Sequence, residues 1–393
     1  MPHNHHETFD GLGIAPAVLE YLDEIKFITP TPIQRTSIPI AVEGKDVIGI
    51  AQTGTGKTLA FSIPMIQRLA QNEKDHGLIL VPTRELAIQV NETIEPLAAL
   101  FKMKSVVLIG GDSMPKQITQ LKKHPRIFVA TPGRLIDHMR QRNMTLKDVR
   151  VLILDEADRM LDMGFMPQIQ SILKEVPTTR QTMLFSATMP QSIMRLASSH
   201  MKLPIQTEIA PSGSTADNVT QELFIVRNEY KAVLLEKLLH QYTGSVLVFC
   251  RTIYGCQRTA GFIAKKHHRV AEIHSELTLA QRKESIEGFK SGKHRILIAT
   301  DIAARGIDVT GIELVVNFDL PDDAENYVHR IGRTGRAGHD GHAISFAMPD
   351  QRNEVTTIEG LIKGNIPISK HPEVPNAEFP KPRVVFSSSR RRR

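Results

Sequence analysis

Short apolar runs recur along this chain, separated by longer stretches in which apolar residues return every three or four positions. In the first half the runs fall at 47–50, 78–81, 105–109, 127–130, 151–154 and 182–185. Brief runs that are apolar at nearly every position, not at every second one, are the mark of strands buried on both faces. Stretches 84–100 and 132–140 between them carry the helical period. The alternation predicts a parallel sheet covered by helices. Small and polar residues then interrupt the pattern from Ala210-Pro211-Ser212-Gly213 to Asn218, as a linker does. It resumes with runs at 222–226, 246–250, 271–274, 295–299, 314–317 and 343–346. The predicted fold class is α/β, with a domain over 1–207, a linker over 208–218, a second domain over 219–367 and a tail over 368–393.

Composition narrows the class. A chain of 393 residues has room for two or three cores. Its 41% hydrophobic content is that of a globular protein, neither disordered nor membranous. No apolar run reaches the roughly 18–20 residues that span a bilayer. The start, Met1-Pro2-His3-Asn4-His5-His6, lacks the basic-then-apolar order of a secretory signal and reads as a frayed polar end. Cys250 and Cys256 are the only thiols; they suit a reducing cytoplasm, and Cys250 sits in an apolar strand, buried and inert. Net charge is +7, of which Lys381, Arg383 and Arg390 to Arg393 supply +6. That tail, with Ser387-Ser388-Ser389 inside it, reads as a disordered basic arm. It is either a solubilising end or a tether for a phosphate backbone, and the motifs below favour the tether.

Two of the strand ends carry chemistry. After 47–50 comes Ala51-Gln52-Thr53-Gly54-Thr55-Gly56-Lys57-Thr58. Gly54 and Gly56 let the backbone turn tightly and direct N–H groups of Thr53, Thr55 and their neighbours inward, and the following helix adds its positive end. Lys57 brings a point charge to outer phosphates, and the Thr58 hydroxyl suits Mg2+. The usual first glycine of this loop is Ala51 here. After 151–154 comes Asp155-Glu156-Ala157-Asp158. Asp155 can hold Mg2+, and Glu156 can polarise an attacking water as general base. Alone, those carboxylates would read equally well as an acidic helix cap. Paired with the phosphate loop they predict an ATPase.

Through these motifs the chain resembles a DEAD-box RNA helicase of superfamily two, from about Phe9 to Phe346. Phe27 and Pro30-Thr31-Pro32-Ile33-Gln34 resemble the adenine-recognition motif. Pro82-Thr83-Arg84-Glu85-Leu86-Ala87, Gly110-Gly111 and Thr131-Pro132-Gly133-Arg134 resemble RNA-binding motifs, and Ser186-Ala187-Thr188 resembles the motif coupling ATP to RNA. Val248-Phe249-Cys250, Thr300 to Asp308 and His329 to Arg336 resemble the motifs of the second half. The resemblance implies two tandem RecA-like domains and local, weakly processive strand separation.

It also implies roles. Gln34 pairs with adenine and Phe27 stacks on it, so the nucleotide is ATP. Gly306 and Asp308 contact the nucleotide from the second domain. Arg333 and Arg336, three apart and read as sharing a helical face, become arginine fingers. Asp158, Ser186, Thr188 and His329 sense closure. RNA meets Pro82, Thr83, Arg84, Gly111, Thr131, Gly133, Arg134, Arg282 and Thr300, mostly through phosphate and ribose and with little sequence specificity. Two departures stand out: Lys26 precedes Phe27 where the family has glycine, and Leu279 stands where a glutamine precedes Arg282. The predicted activity is RNA-stimulated ATP hydrolysis coupled to domain closure by a monomer. The alternatives are a slow ATP-gated RNA clamp or a DNA-directed ATPase.

Overall fold

A computed structural model of the chain describes residues 8–52, 54–209, 219–304, 312–335, 341–375 and 377–380. Thr53, Gly306, Asp308 and Arg336, most of the expected linker, and the arginine-rich end lie outside the described residues.

The chain divides into two compact bodies. The first carries β1 (Val47–Ile50), β2 (His76–Leu80), β3 (Ser105–Leu108), β4 (Ile127–Ala130), β5 (Val149–Leu154), β6 (Gln181–Ser186) and β7 (Ile205–Glu208). The second carries β8 (Val219–Ile225), β9 (Val246–Cys250), β10 (Val270–Ile273), β11 (Ile296–Thr300), β12 (Leu314–Asn317), β13 (Gly341–Ala347) and β14 (Ile368–Ser369). Each body holds one seven-stranded sheet, in the orders β3-β4-β2-β5-β6-β1-β7 and β10-β11-β9-β12-β13-β8-β14. Strand for strand, these orders are the same. Among the described residues every pairing is parallel.

The apolar runs become strands because helices cover both faces. All residues of β1, β4, β9 and β11 are buried. The predicted helices appear as Arg84–Leu100 and Pro132–Arg140, the first started by the Thr83 hydroxyl, which accepts from Leu86 N at 3.2 Å. Two strands lack the apolar signal. Strand β7 adds to the sheet edge beside β1 and exposes three of its four residues, so its sequence has no apolar run. Strand β14 lies inside the expected tail: it pairs with β8, and His371 and Val374 beyond it are buried. The second body therefore continues past residue 367, held by apolar contacts of Ile366 and Val374. At the other boundary, Glu208 ends β7 and Ile209 N still donates to Ile50 O at 3.0 Å, so these two residues belong to the first sheet, not to a linker.

In parallel sheets the loops at the carboxyl ends of the strands are free to build a site. In the first body β1, β6 and β5 are neighbours, so the phosphate loop, the 186–188 motif and the 155–158 motif emerge side by side. No helix among the described residues is long and apolar enough to cross a membrane.

Candidate nucleotide and RNA site

The phosphate loop leaves β1 and enters the helix Lys57–Ala70. Gly54 and Gly56 have φ of 85° and 88°, a region that L side chains avoid. Gly56 has a second constraint, since a Cβ there would collide with Gln34. Gln34 is fully buried; its Nε2 donates to Gly56 O and its Oε1 accepts from Thr31 N, both at 2.9 Å. Each of the two amide atoms has one partner within the chain, which fixes the amide and leaves one donor hydrogen and one lone pair for a base. Lys57 is 6% exposed, and its Nζ donates to Ala51 O at 2.8 Å. Its charge is held inside the loop on a carbonyl that a phosphate oxygen could replace. Thr55 Oγ1 donates to Gln52 O at 2.7 Å, and Thr58 is half-buried in the first helical turn. Phe27 is half-buried, with its ring centroid 5.8 Å from that of Phe9.

Asp155, Glu156 and Asp158 are all buried beside this loop. Burial, opposed by Lys57 and reinforced by Glu156 and Asp158, pushes the Asp155 carboxyl up to about 7. Three carboxylates stand against two cations here, Lys57 and the Arg159 that pairs with Glu156, so the site is one positive charge short, which is the condition a divalent cation relieves. Glu156 sits in the left-handed region at φ 51°. Its Oε2 accepts from Arg159 Nη1 at 2.6 Å, an ion pair closed to solvent. Asp158 collects the 186–188 motif: Oδ2 accepts from Ala187 N at 3.0 Å, Thr188 N at 2.9 Å and Thr188 Oγ1 at 3.2 Å. In return Asp158 N donates to Ser186 Oγ at 3.1 Å.

The RNA candidates of the first body follow β2, β3 and β4. Pro82 and Thr83 are buried and Arg84 is half-buried. The Arg84 guanidinium lies against Gly111, where φ is 76° and a Cβ would collide with it. Thr131 precedes the helix Pro132–Arg140, and Arg134 Nη1 donates to Asp112 O at 3.0 Å. A Cβ at Gly133 would meet nothing within 4 Å, so no neighbour in the chain requires glycine there.

In the second body Thr300 ends β11 and is buried. Arg282 is also buried, 7% exposed, in the first turn of the helix Leu279–Lys290. The expected glutamine position, Leu279, is the first residue of that helix, which Thr278 and Gln281 cap reciprocally. His329 lies on the helix Ala324–Ile331 and is half-buried. That helix stops before Arg333, and Gly335 turns the chain at φ 65°. The shared helical face expected for Arg333 and Arg336 is therefore absent at Arg333, which sits buried in the turn.

The family model described as DEAD/DEAH box helicase matches residues 31–196, and that described as helicase conserved C-terminal domain matches residues 230–338. The ATP-dependent rRNA helicase RRP3 of Debaryomyces hansenii is 42% identical over 369 residues, 93% of this chain and 77% of that protein. This chain belongs to the DEAD-box RNA helicases. Another relative, the DEAD-box ATP-dependent RNA helicase CshA of Geobacillus kaustophilus, is 41% identical over 381 residues, 96% of this chain and 82% of that one. Among solved structures, S. cerevisiae Dbp5 bound to RNA and ADP BeF3 is similar with a TM-score of 0.82 at 30% identity, covering 93% of this chain and 95% of that one.

Sequence reasoning passed over three features of this DEAD-box helicase. Arg159 holds the Glu156 carboxylate, and the i,i+3 spacing of the two was a readable signal. Arg330 is 2% exposed and grips both Asp301 oxygens at 2.6 Å, with Asn317 Oδ1 at 3.1 Å and Asp319 O at 2.6 Å. Its partners come from separate strand ends, so spacing carries no hint of them. Gln117 and His138 meet at 3.0 Å behind the RNA candidates. Elsewhere Glu236, His240 and His268 form a cluster of metal-ligand type. Arg295 Nη2 donates to His268 Nδ1 at 3.2 Å, which keeps the proton on Nε2 and turns that nitrogen away from metal binding.

Proposed function

We propose that this helicase hydrolyses ATP at the carboxyl edge of the first sheet when RNA is bound, and that closure of its two bodies grips one strand and separates short duplexes. What supports this reading is one arrangement. The phosphate loop and the acidic motif lie side by side, and Asp158 ties the acidic motif to Ala187 and Thr188 by three bonds. A change at the nucleotide therefore has a direct path to the coupling motif. Gln34 and Phe27 select the adenine base. Lys57 leaves Ala51 O for the outer phosphates, and the N–H groups around Gly54 and Gly56 line them. Thr58 and Asp155 would hold Mg2+, which supplies charge neutralisation on those phosphates.

Glu156, fixed by Arg159, takes the proton of the attacking water. Arg333 and Arg336 bring guanidinium charge to the transition state, an effect of about 10³–10⁵ in rate for such groups. RNA is held through its backbone by Thr83, Arg84, Gly111, Thr131, Gly133 and Arg134 of the first body and by Thr300 of the second. Such contacts read the strand's shape and sugar more than its bases. Two unpaired cysteines are consistent with a reducing cytoplasm, where we place the protein as a monomer.

The test is steady-state ATP hydrolysis with single-stranded RNA or single-stranded DNA added. RNA should stimulate and DNA should not. Glu156→Gln should bind both ligands and lose about 10²–10⁴-fold in turnover, the usual worth of a general base. Equal stimulation by DNA, or normal turnover in Glu156→Gln, would refute the corresponding assignment.

A further inference from the structure

The helix Met114–Leu121 follows the Gly110-Gly111 loop, and its one buried residue is polar: Gln117. Burying a glutamine amide is costly unless each polar atom finds a partner. Gln117 meets that condition at both ends. Its Nε2 donates to Ile109 O at 2.9 Å, one residue before the double glycine. Its Oε1 accepts from His138 Nε2 at 3.0 Å, on the helix Pro132–Arg140 that carries Gly133 and Arg134. His138 is fully buried too, and its Nδ1 faces Asn143 Nδ2 at 3.3 Å. Burial holds its imidazole below the ordinary range, hence neutral, as one donor and one acceptor. An apolar pair of similar volume would fill the same space without desolvation cost. What the polar pair adds is direction.

We propose that Gln117 and His138 are positioning residues for RNA. Their bridge sets the separation between the Gly110-Gly111 loop and the Pro132–Arg140 helix, gripping that helix at His138, one turn beyond Arg134, so that Gly111 and Arg134 present one backbone-binding surface. The inference rests on the reading of Gly111 and Arg134 as RNA contacts. Three links converge on this loop. Arg84 lies over Gly111, Arg134 Nη1 holds Asp112 O at 3.0 Å, and Gln117 holds Ile109 O from the buried side. Of these, only the Gln117 link is out of reach of a ligand. It stays in place whether or not Arg84 and Arg134 turn to a phosphate. Hydrogen bonds to a phosphate oxygen need donor distances of about 2.7–3.2 Å, so a loop that drifts by an ångström relative to the helix loses part of the set.

The test compares Gln117→Leu, His138→Leu, the double variant and Arg134→Ala in the full chain. Single-stranded RNA affinity is measured with a non-hydrolysable ATP analogue, together with RNA-stimulated ATPase kinetics and ATP affinity without RNA. Each leucine variant should weaken RNA binding about ten-fold, the worth of one lost buried bond. The KM for RNA should rise alike, with kcat at saturating RNA and ATP affinity unchanged. The double variant should lose no more than either single one, because both break the same link. If Arg134→Ala loses RNA while the leucine variants keep full affinity, even at reduced thermal stability, the pair is core packing and the inference is overturned. If Arg134→Ala also keeps full affinity, the RNA reading of this surface falls instead. Should the leucine variants fail to fold, Gln117→Glu keeps an oxygen for His138 but cannot donate to Ile109. RNA affinity weakened in that variant supports the inference, and unchanged affinity overturns it.

Discussion

Of the eight described non-glycine residues in the left-handed backbone region, Glu156 and Lys26 make an instructive contrast. Glu156, at φ 51°, lies in the acidic motif, where Arg159 and the neighbouring strand ends hold it. Strain of this kind persists where surrounding structure over-determines it, and it gathers at functional sites. Lys26, at φ 58°, is exposed. Nothing about its side chain requires lysine there, and a non-glycine residue in that region costs about 1–2 kcal/mol. Lys26→Gly should therefore raise stability by roughly 0.5–1 kcal/mol, the strain relieved less the added freedom of the unfolded chain. A denaturant melt checks this, and a loss of stability would mean that the turn before Phe27 depends on the lysine.

At the scale of elements, Arg330 ties the helix Ala324–Ile331 to several strand ends of the second sheet. Arg330 reaches from that helix to Asp301 after β11, to Asn317 at the end of β12 and to the Asp319 carbonyl, and its guanidinium lies 5.0 Å from the Phe249 ring centroid. Removing one member of a fully buried pair costs about 3–5 kcal/mol, and because Asp301 is 26% exposed and regains some water the loss here falls to about 2–3 kcal/mol. Arg330→Ala should destabilise the second body by that amount. Hydrogen exchange should report faster opening of β11 and β12, with protection in the first body unchanged. Uniform loss across both sheets would contradict independent bodies. The same helix shows where local spacing misleads. Three-residue spacing puts Arg333 and Arg336 on one face only if the helix continues, and it ends at Ile331.

Across the whole molecule, His76, His138, His200, His268 and His342 all titrate below the ordinary value of 6.5, with burial the largest cause in each. Below 6.5 the unfolded chain takes up protons that the folded one refuses, so this stability is complete above that pH and is lost on acidification. Asp155 acts the other way. Its folded carboxyl takes a proton up to about 7 against an ordinary 3.8, which favours the folded state as pH falls through that window. With five groups against one, the midpoint of chemical unfolding should be lower at about pH 5.5 than at about pH 7.5. A midpoint that rises toward acid would show that Asp155 outweighs the buried imidazoles.

Much of this protein was legible from its sequence because the signals are local. A strand buried on both faces must be apolar at nearly every position, so the runs ending at Ile50 and Leu154 announce themselves. A phosphate loop needs glycine at positive φ, so Gly54 and Gly56 carry their reason with them. The duplicated α/β plan and the family followed from those signals, as did the two segments proposed to form the nucleotide site. Tertiary structure alone decided what distant residues do to one another. Strands β7 and β14 are strands only because a sheet edge accepts their backbone. Asp301 and Arg330, or Gln117 and His138, pair across folds of the chain that no periodicity encodes. Burial of a polar side chain is affordable only where another segment supplies its partner, and which segment arrives there is settled when the whole sheet assembles.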